Sequence, residues 1–194
     1  METYEKCLKI ILVGFLLFTT NNFYAQESKL NLAESKLTIF GTSNVHDWDI
    51  VAHAMSGKAT FTIEANILEE VKNLDFSVET EQLLSGRSGM DANTFKALNS
   101  KKYKTINYRL TKVLKITKTA ANTYSIEAQG DLTISGATKN ITQVFTAVVS
   151  GKKVILSGKT KITMMQYKVT PPTALFGTIK TGPDVTIDFK VTYN

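Results

Sequence analysis

At 194 residues with a formal charge of +6, the chain is long enough for one domain with a real core, and nothing in it reads as a linker to a second. The basic excess does not point to nucleic acid: Arg87 and Arg109 are the only arginines, and lysines such as Lys112, Lys115, Lys159, Lys161 and Lys190 are spread along the sequence rather than clustered. The single cysteine, Cys7, excludes an internal disulfide and a cysteine-based metal site.

The N-terminus reads as a signal peptide. Lys6 and Lys9 flank the start of an apolar run, 10–18, too short to cross a bilayer but long enough for the core of an export signal. Cleavage is expected after Ala25. Lys6, Lys9, Glu2 and Glu5 leave with it, so the net charge does not change, and Cys7 leaves too. Segment 26–34 is then a polar lead-in, and 35–194 is the domain.

From 36 onward most of the sequence alternates polar and apolar residues with period two, the signature of half-buried strands. Leu37 and Ile39 share one face of a first strand. After a turn at 42–47, Trp48, Ile50, Ala52 and Ala54 alternate with Asp49, Val51, His53 and Met55, and Ala59, Phe61, Ile63 and Ala65 then alternate with Lys58, Thr60, Thr62 and Glu64. Segment 66–73 reads as a loop with a helical turn, and Leu74, Phe76 and Val78 resume the alternation. The stretch 86–102, GRSGMDANTFKALNSKK, breaks it. Asp91 is placed to cap a helix of about eight residues with Ala92, Phe95 and Leu98 on one face. Such a helix is too short to stand alone in water and needs a sheet or a barrel mouth to lie on.

Beyond the helix, Ile106, Tyr108, Leu110, Leu114 and Ile116 share a phase, as do Tyr124, Ile126, Ala128, Gly130, Leu132 and Ile134. Segment 138–149 is apolar in both phases, which predicts a strand covered on both sides. Val154, Leu156, Ile162 and Met164 face inward. Pro171 and Pro172 interrupt pairing, and Val185, Ile187, Phe189, Val191 and Tyr193 close the chain. Eight strands with regular turns and one helix predict an all-β antiparallel barrel, because closure removes exposed edges. A barrel of that size is either filled by its own side chains or holds one small ligand.

Little in the sequence points to catalysis. His46, Asp47, Asp49 and His53 contain metal-ligating groups, but His46 lies in a turn and His53 lies in the phase opposite Trp48. The ordinary reading is a turn histidine bonded to backbone and an outer-face histidine. Ser85-Gly86-Arg87-Ser88-Gly89 is not a nucleophile elbow, and no glycine run cradles phosphate. No catalytic residue, metal ligand or cofactor is assigned, and the protein is not expected to be an enzyme.

Four stretches in order carry a resemblance: KLTIFGTSNVHDW (36–48), MDANTFKALNSKKYKTINY (90–108), GDLTISGAT (130–138) and PPTALFGTIKTGPDVTIDF (171–189). Together they resemble the YceI-like family. The resemblance implies a lipocalin-like eight-stranded antiparallel barrel, periplasmic or secreted. Its interior would take a polyisoprenoid or similar amphipathic chain, such as an isoprenoid quinone or a fatty amide. On that reading the inward Phe61, Phe76, Val78, Tyr108, Leu110, Tyr124, Leu132 and Met164 line the cavity. Trp48, Tyr167 and Phe176 stand nearer its opening, and His46 bonds the ligand's polar head. The expected partner is the lipid and not nucleic acid. Transient contact with a membrane surface and a homodimer stay open. The alternative is a structural or adhesive β-domain with a filled core.

Overall fold

The computed structural model describes residues 26–194, and the expected signal peptide and its cleavage site lie outside them. The period-two pattern becomes the strands β1 (Gln26–Ser43), β2 (Trp48–Ala52), β3 (Met55–Glu64), β4 (Ile67–Glu79) and β5 (Leu83–Leu84). The helix α1 (Ser88–Ala97) follows, then β6 (Thr105–Ala120), β7 (Thr123–Ile134), β8 (Ala137–Ser150), β9 (Lys153–Thr163), β10 (Thr173–Ala174) and β11 (Ile179–Tyr193). Strands β1, β3, β4, β6, β7, β8, β9 and β11 pair in that circular order, all antiparallel, and β11 returns to β1. The result is a closed eight-stranded barrel with one short helix. β1 pairs with β3 where Gln26 meets Phe61, then with β2 where Gly41 meets Trp48, so β2 prolongs the wall where β3 ends.

Four local expectations are corrected. The polar lead-in 26–34 is not loop but the first half of β1, interrupted by a bulge between Asn31 and Lys36. Its polar side chains belong to an outer face, while Ser28 is buried. Segment 66–73 is not a helical loop but the start of β4. Two register shifts against β3 change the spacing of inward residues to Leu68, Val71, Leu74, a step of three that imitates a helix. A bulge after Leu110 likewise switches the phase of β6, so Val113 packs inward while Leu114 is exposed. Finally, β8 is covered on one side only: Phe145, Ala147 and Val149 are buried, whereas Val144 is 56% exposed.

Antiparallel connectivity puts the β3–β4, β6–β7 and β8–β9 hairpins at one end of the barrel. The β1–β2 turn, α1, the β7–β8 hairpin and the segment between β9 and β11 gather at the other. The hairpin end is solid: Ala59, Phe61, Leu68, Val71, Tyr124, Ile126, Ala128, Ala147, Val149 and Val154 form one buried cluster there. The register between β7 and β8 is continuous, from Thr123 opposite Val148 to Ile134 opposite Ala137. That between β8 and β9 runs only from Ser150 opposite Lys153 to Thr146 opposite Ser157. Outside the wall, Lys159 pairs with Asp188 at 2.9 Å and Lys161 with Asp184 at 3.0 Å, exposed ion pairs that account for two of the scattered lysines.

Candidate functional site

Above the solid core the barrel is hollow. A cavity of about 530 Å³ opens at the helix end, within the range of small-molecule sites. Leu74, Phe145, Leu156, Val191 and Tyr193 form its floor. Leu37, Ile39, Ile50, Phe76, Val78, Ile106, Leu132, Ile134, Ile162, Val185, Ile187 and Phe189 form its walls, all on the inward phase of their strands.

α1 covers part of the mouth. It begins at Ser88, earlier than expected, and Asp91 is not its cap. Asp91 Oδ1 instead accepts hydrogen bonds from the backbone N–H of Ser85, at 2.7 Å, and from its hydroxyl, at 2.6 Å. This ties down the loop that feeds the helix. The inward face is Met90, Asn93, Thr94, Ala97 and Leu98 rather than Ala92, Phe95 and Leu98, and Ala92 is exposed. The helix ends at Asn99 in a left-handed conformation, with the Ser100 N–H donating to the Phe95 carbonyl at 3.0 Å. The Ser135 hydroxyl donates to the Leu98 carbonyl at 3.0 Å, fixing the helix to the β7–β8 hairpin.

Trp48 lies flat over Gly41, where a side chain would collide with its ring, and its indole N–H donates to the Thr42 carbonyl at 2.9 Å. His46 sits in the β1–β2 turn with Nδ1 2.7 Å from the Asp47 carbonyl. A carbonyl only accepts, so Nδ1 carries the proton and a neutral ring leaves Nε2 as an acceptor. Both residues line the cavity opening.

Of the residues expected at the site, His46, Trp48, Phe76, Val78, Tyr108, Leu132, Met164 and Tyr167 line the cavity. Phe61, Leu110, Tyr124 and Phe176 do not. Phe61 and Tyr124 belong to the solid core, since the inward phase of a strand says nothing about height along the barrel. Leu110 packs on that core, below the cavity. Phe176 is fully exposed at the mouth, with Leu175 at 67%, Met165 at 67% and Val45 at 62%. Leu175 and Phe176 both have left-handed backbone (φ 49° and 55°), a conformation that costs about 1–2 kcal/mol per residue. Asn44 clasps the two rim turns together: its amide donates to the Thr178 carbonyl at 2.9 Å and its carbonyl accepts from the Lys180 N–H at 2.8 Å. The inward phases of β11 and of α1 were the signals that locate the remaining lining residues.

Among the described residues, the hydroxyls of Tyr108, Thr160 and Tyr193 are buried without a hydrogen-bond partner; the three residues line the cavity, but these oxygens are packed into its wall. Burial pushes Tyr108 up to about 12, with the Asp131 charge adding to it. Tyr193 is pushed up further by burial, with a contribution from Asp75, and burial raises Tyr167 as well. The folded state therefore holds these protons more tightly than the unfolded chain, whose tyrosines titrate near 10. Their contribution is intact below about pH 10 and is lost as pH rises toward 12. Thermal melts are expected to show a midpoint that falls over that window, with a shallower fall in Tyr108→Phe.

The sequence model of the YceI-like domain matches residues 21–193. Comparison with curated proteins returns no match. Among solved structures, the fold is similar to Burkholderia cenocepacia BcnA (TM-score 0.66, 15% identity, 84% of this chain and 98% of that one). It is also similar to a polyisoprenoid binding domain from Saccharophagus degradans implicated in plant cell wall breakdown (TM-score 0.66, 12% identity, 88% and 99%). The Campylobacter jejuni YceI protein is a third (TM-score 0.53, 21% identity, 72% and 80%). At these identities the likeness to each structure is one of fold. The domain match, which spans nearly the whole chain, places the protein in the YceI-like domain family.

Proposed function

We propose that this protein is an exported carrier that holds a polyisoprenoid or a similar long amphipathic chain in the open half of its barrel. The observation that carries this reading is the cavity itself: about 530 Å³, walled by hydrocarbon, with the exposed Arg87 as the one charged side chain among its lining residues. Each methylene moved from water into such a wall gains about 0.8 kcal/mol. Membership of the YceI-like family supports the reading, as does the fold shared with a domain described as polyisoprenoid-binding.

The rim gives the carrier a way to load. Val45, Met165, Leu175 and Phe176 offer apolar contact around the mouth, and Lys168 and Lys180 lie beside them. Among the described residues neither lysine is in an ion pair. That combination suits transient contact with an anionic lipid surface. Export through the N-terminal signal places the carrier in the periplasm or the medium.

Native mass spectrometry of residues 26–194, exported by the natural host and gently purified, tests the proposal. A discrete added mass that organic solvent removes is the expected result, and its fragmentation names the lipid. A clean unloaded mass, with no uptake from a mixture of prenols and quinones, would leave a structural β-domain as the better reading.

A further inference from the structure

The barrel wall is incomplete at its solid end. β4 and β6 pair from Glu79 with Thr105 down to Asp75 with Arg109, and there their ladder stops. Below that point β4 is bonded to β3 alone, and β6, from Leu110 to Ala120, is bonded to β7 alone. Two strand edges therefore face each other across a gap. Side chains seal it from beneath: Leu68 and Val71 of β4 pack with Leu110 and Val113 of β6. The two edges are not equivalent. On β4 the backbone N–H of Leu68 already donates to the Tyr124 hydroxyl, at 3.1 Å. On β6, among the described residues, no backbone bond is made across the gap between Leu110 and Ala120. Cover differs too. On β7 Ile126 and Ala128 are wholly buried, whereas Ile116 and Val113, opposite them on β6, are only half-buried. Leu114 on β6 is 40% exposed, and Ile67 on the β4 side is 41% exposed. An open row of backbone groups beside a thinly covered apolar floor has the form of a site for an added strand.

Charge decides which kind of strand. Lys112, Lys115 and Lys118 are exposed along β6 and, among the described residues, form no ion pair, although Lys115 stands opposite Glu127 on β7. On the β4 side Glu70 pairs with Lys72 at 3.5 Å, which leaves Glu69 against the three lysines. A second copy of this chain brought edge to edge along β6 would set these lysines against their own counterparts. Nucleic acid would find cations there but no ring to stack a base on, since the exposed Phe40 and Phe176 lie elsewhere.

From the free edge, the thin cover and the unpaired lysines we propose that β6 receives an extended acidic segment of a partner protein, which pairs with it as an added strand in the gap. The segment's backbone completes the ladder, its inward side chains cover Val113 and Ile116, and its outward carboxylates meet Lys112 and Lys115. The site lies at the end remote from the cavity mouth, so a partner held there leaves the mouth free. The proposal does not depend on what the cavity holds.

Three synthetic peptides test it, each about ten residues long to match the free edge at about 3.3 Å per residue. The first alternates valine with glutamate. The second has lysine in place of glutamate. The third repeats the first with every amide N-methylated, so that it keeps the charge but cannot donate to a ladder. Calorimetric titration is expected to show the first binding at least tenfold more tightly than either of the others, a difference of about 1.4 kcal/mol. Hydrogen exchange read by mass spectrometry is expected to slow over 110–120 with the first peptide alone. In the Lys112→Glu/Lys115→Glu variant, whose replaced side chains are exposed, the first peptide should bind at least tenfold more weakly and the lysine peptide more tightly, with the melting midpoint within a few degrees of wild type. The proposal is overturned if the N-methylated or the lysine peptide binds as tightly as the first, if protection falls elsewhere than β6, or if no peptide binds. It is also overturned if oligothymidylate protects the same amides as well as the first peptide does. Protection over 110–120 that grows with the protein's own concentration would replace the partner by a second copy of this chain.

Discussion

Replacing Phe76 by Glu is expected to abolish lipid uptake. Phe76 lines the cavity on β4, opposite Gly57 on β3 and Tyr108 on β6, so its side chain is part of the wall between the mouth and the floor. A carboxylate there faces hydrocarbon with no cation in reach. Leaving it ionised costs several kcal/mol, and protonation at a raised pKa only replaces a charge by an unpaired acid. Either form brings hydration into the space where a chain would lie. Phe76→Leu keeps the wall apolar and is the control that should retain binding. Circular dichroism confirms that the charged variant is folded, and native mass spectrometry or Trp48 fluorescence reads occupancy. A folded Glu variant that still takes up lipid would show that the chain does not lie against Phe76.

The largest effect on stability is expected from Tyr193→Ala. Tyr193 is fully buried on β11, opposite Val154 on β9 and Leu30 on β1. Its ring packs edge-on against Phe61, with centroids 5.9 Å apart and planes at 71°. It thus joins the solid core to the floor of the cavity. Truncating a buried aromatic costs about 3–5 kcal/mol, which for a domain of this size lowers the melting midpoint by roughly 10 °C. Tyr193→Phe keeps the ring and discards only a hydroxyl that bonds nothing in the protein, so it should melt within a few degrees of wild type. Urea and thermal melts of the two variants separate the contribution of the ring from that of the oxygen. Equal losses would mean that the hydroxyl has a partner after all.

The barrel was legible in the sequence because inward and outward residues alternate over most of its strands, as in 124–134, where each even-numbered residue is buried. Legibility failed where a bulge changed the count. Leu68, Val71 and Leu74 imitate a helix, and the inward Val113 was passed over for the exposed Leu114, because a bulge inserts a residue without altering composition. The site was half legible for a different reason. Phase tells which side of the wall a residue faces, and so it found Phe76, Val78, Tyr108 and Leu132. It cannot tell how high a residue stands, because height depends on strand tilt and stagger. Phe61 and Tyr124 were therefore placed at the site although they lie beneath it. Phe176 is expected near the opening and does stand at the mouth, but it is fully exposed there instead of lining the cavity, because its position follows from a left-handed turn that no local pattern of residue types demands.

The short β8–β9 ladder has a consequence for selectivity. Most of the barrel is hooped by backbone hydrogen bonds, and a hooped wall has a fixed girth. Above Thr146 and Ser157 this hoop is cut, on the same side as Gln143 and Thr160 and at the level of the cavity. The two strands can part or close there without breaking a ladder bond, so the circumference of the open half can change; the solid half has its own break, between β4 and β6 beyond Asp75 and Arg109, but there Leu68, Val71, Leu110 and Val113 of the two strands pack into one cluster. A container of that kind discriminates weakly by thickness, since a branched or bulky chain needs only a wider gap. What it can still measure is length, read against the packed floor of Leu74, Phe145, Leu156, Val191 and Tyr193.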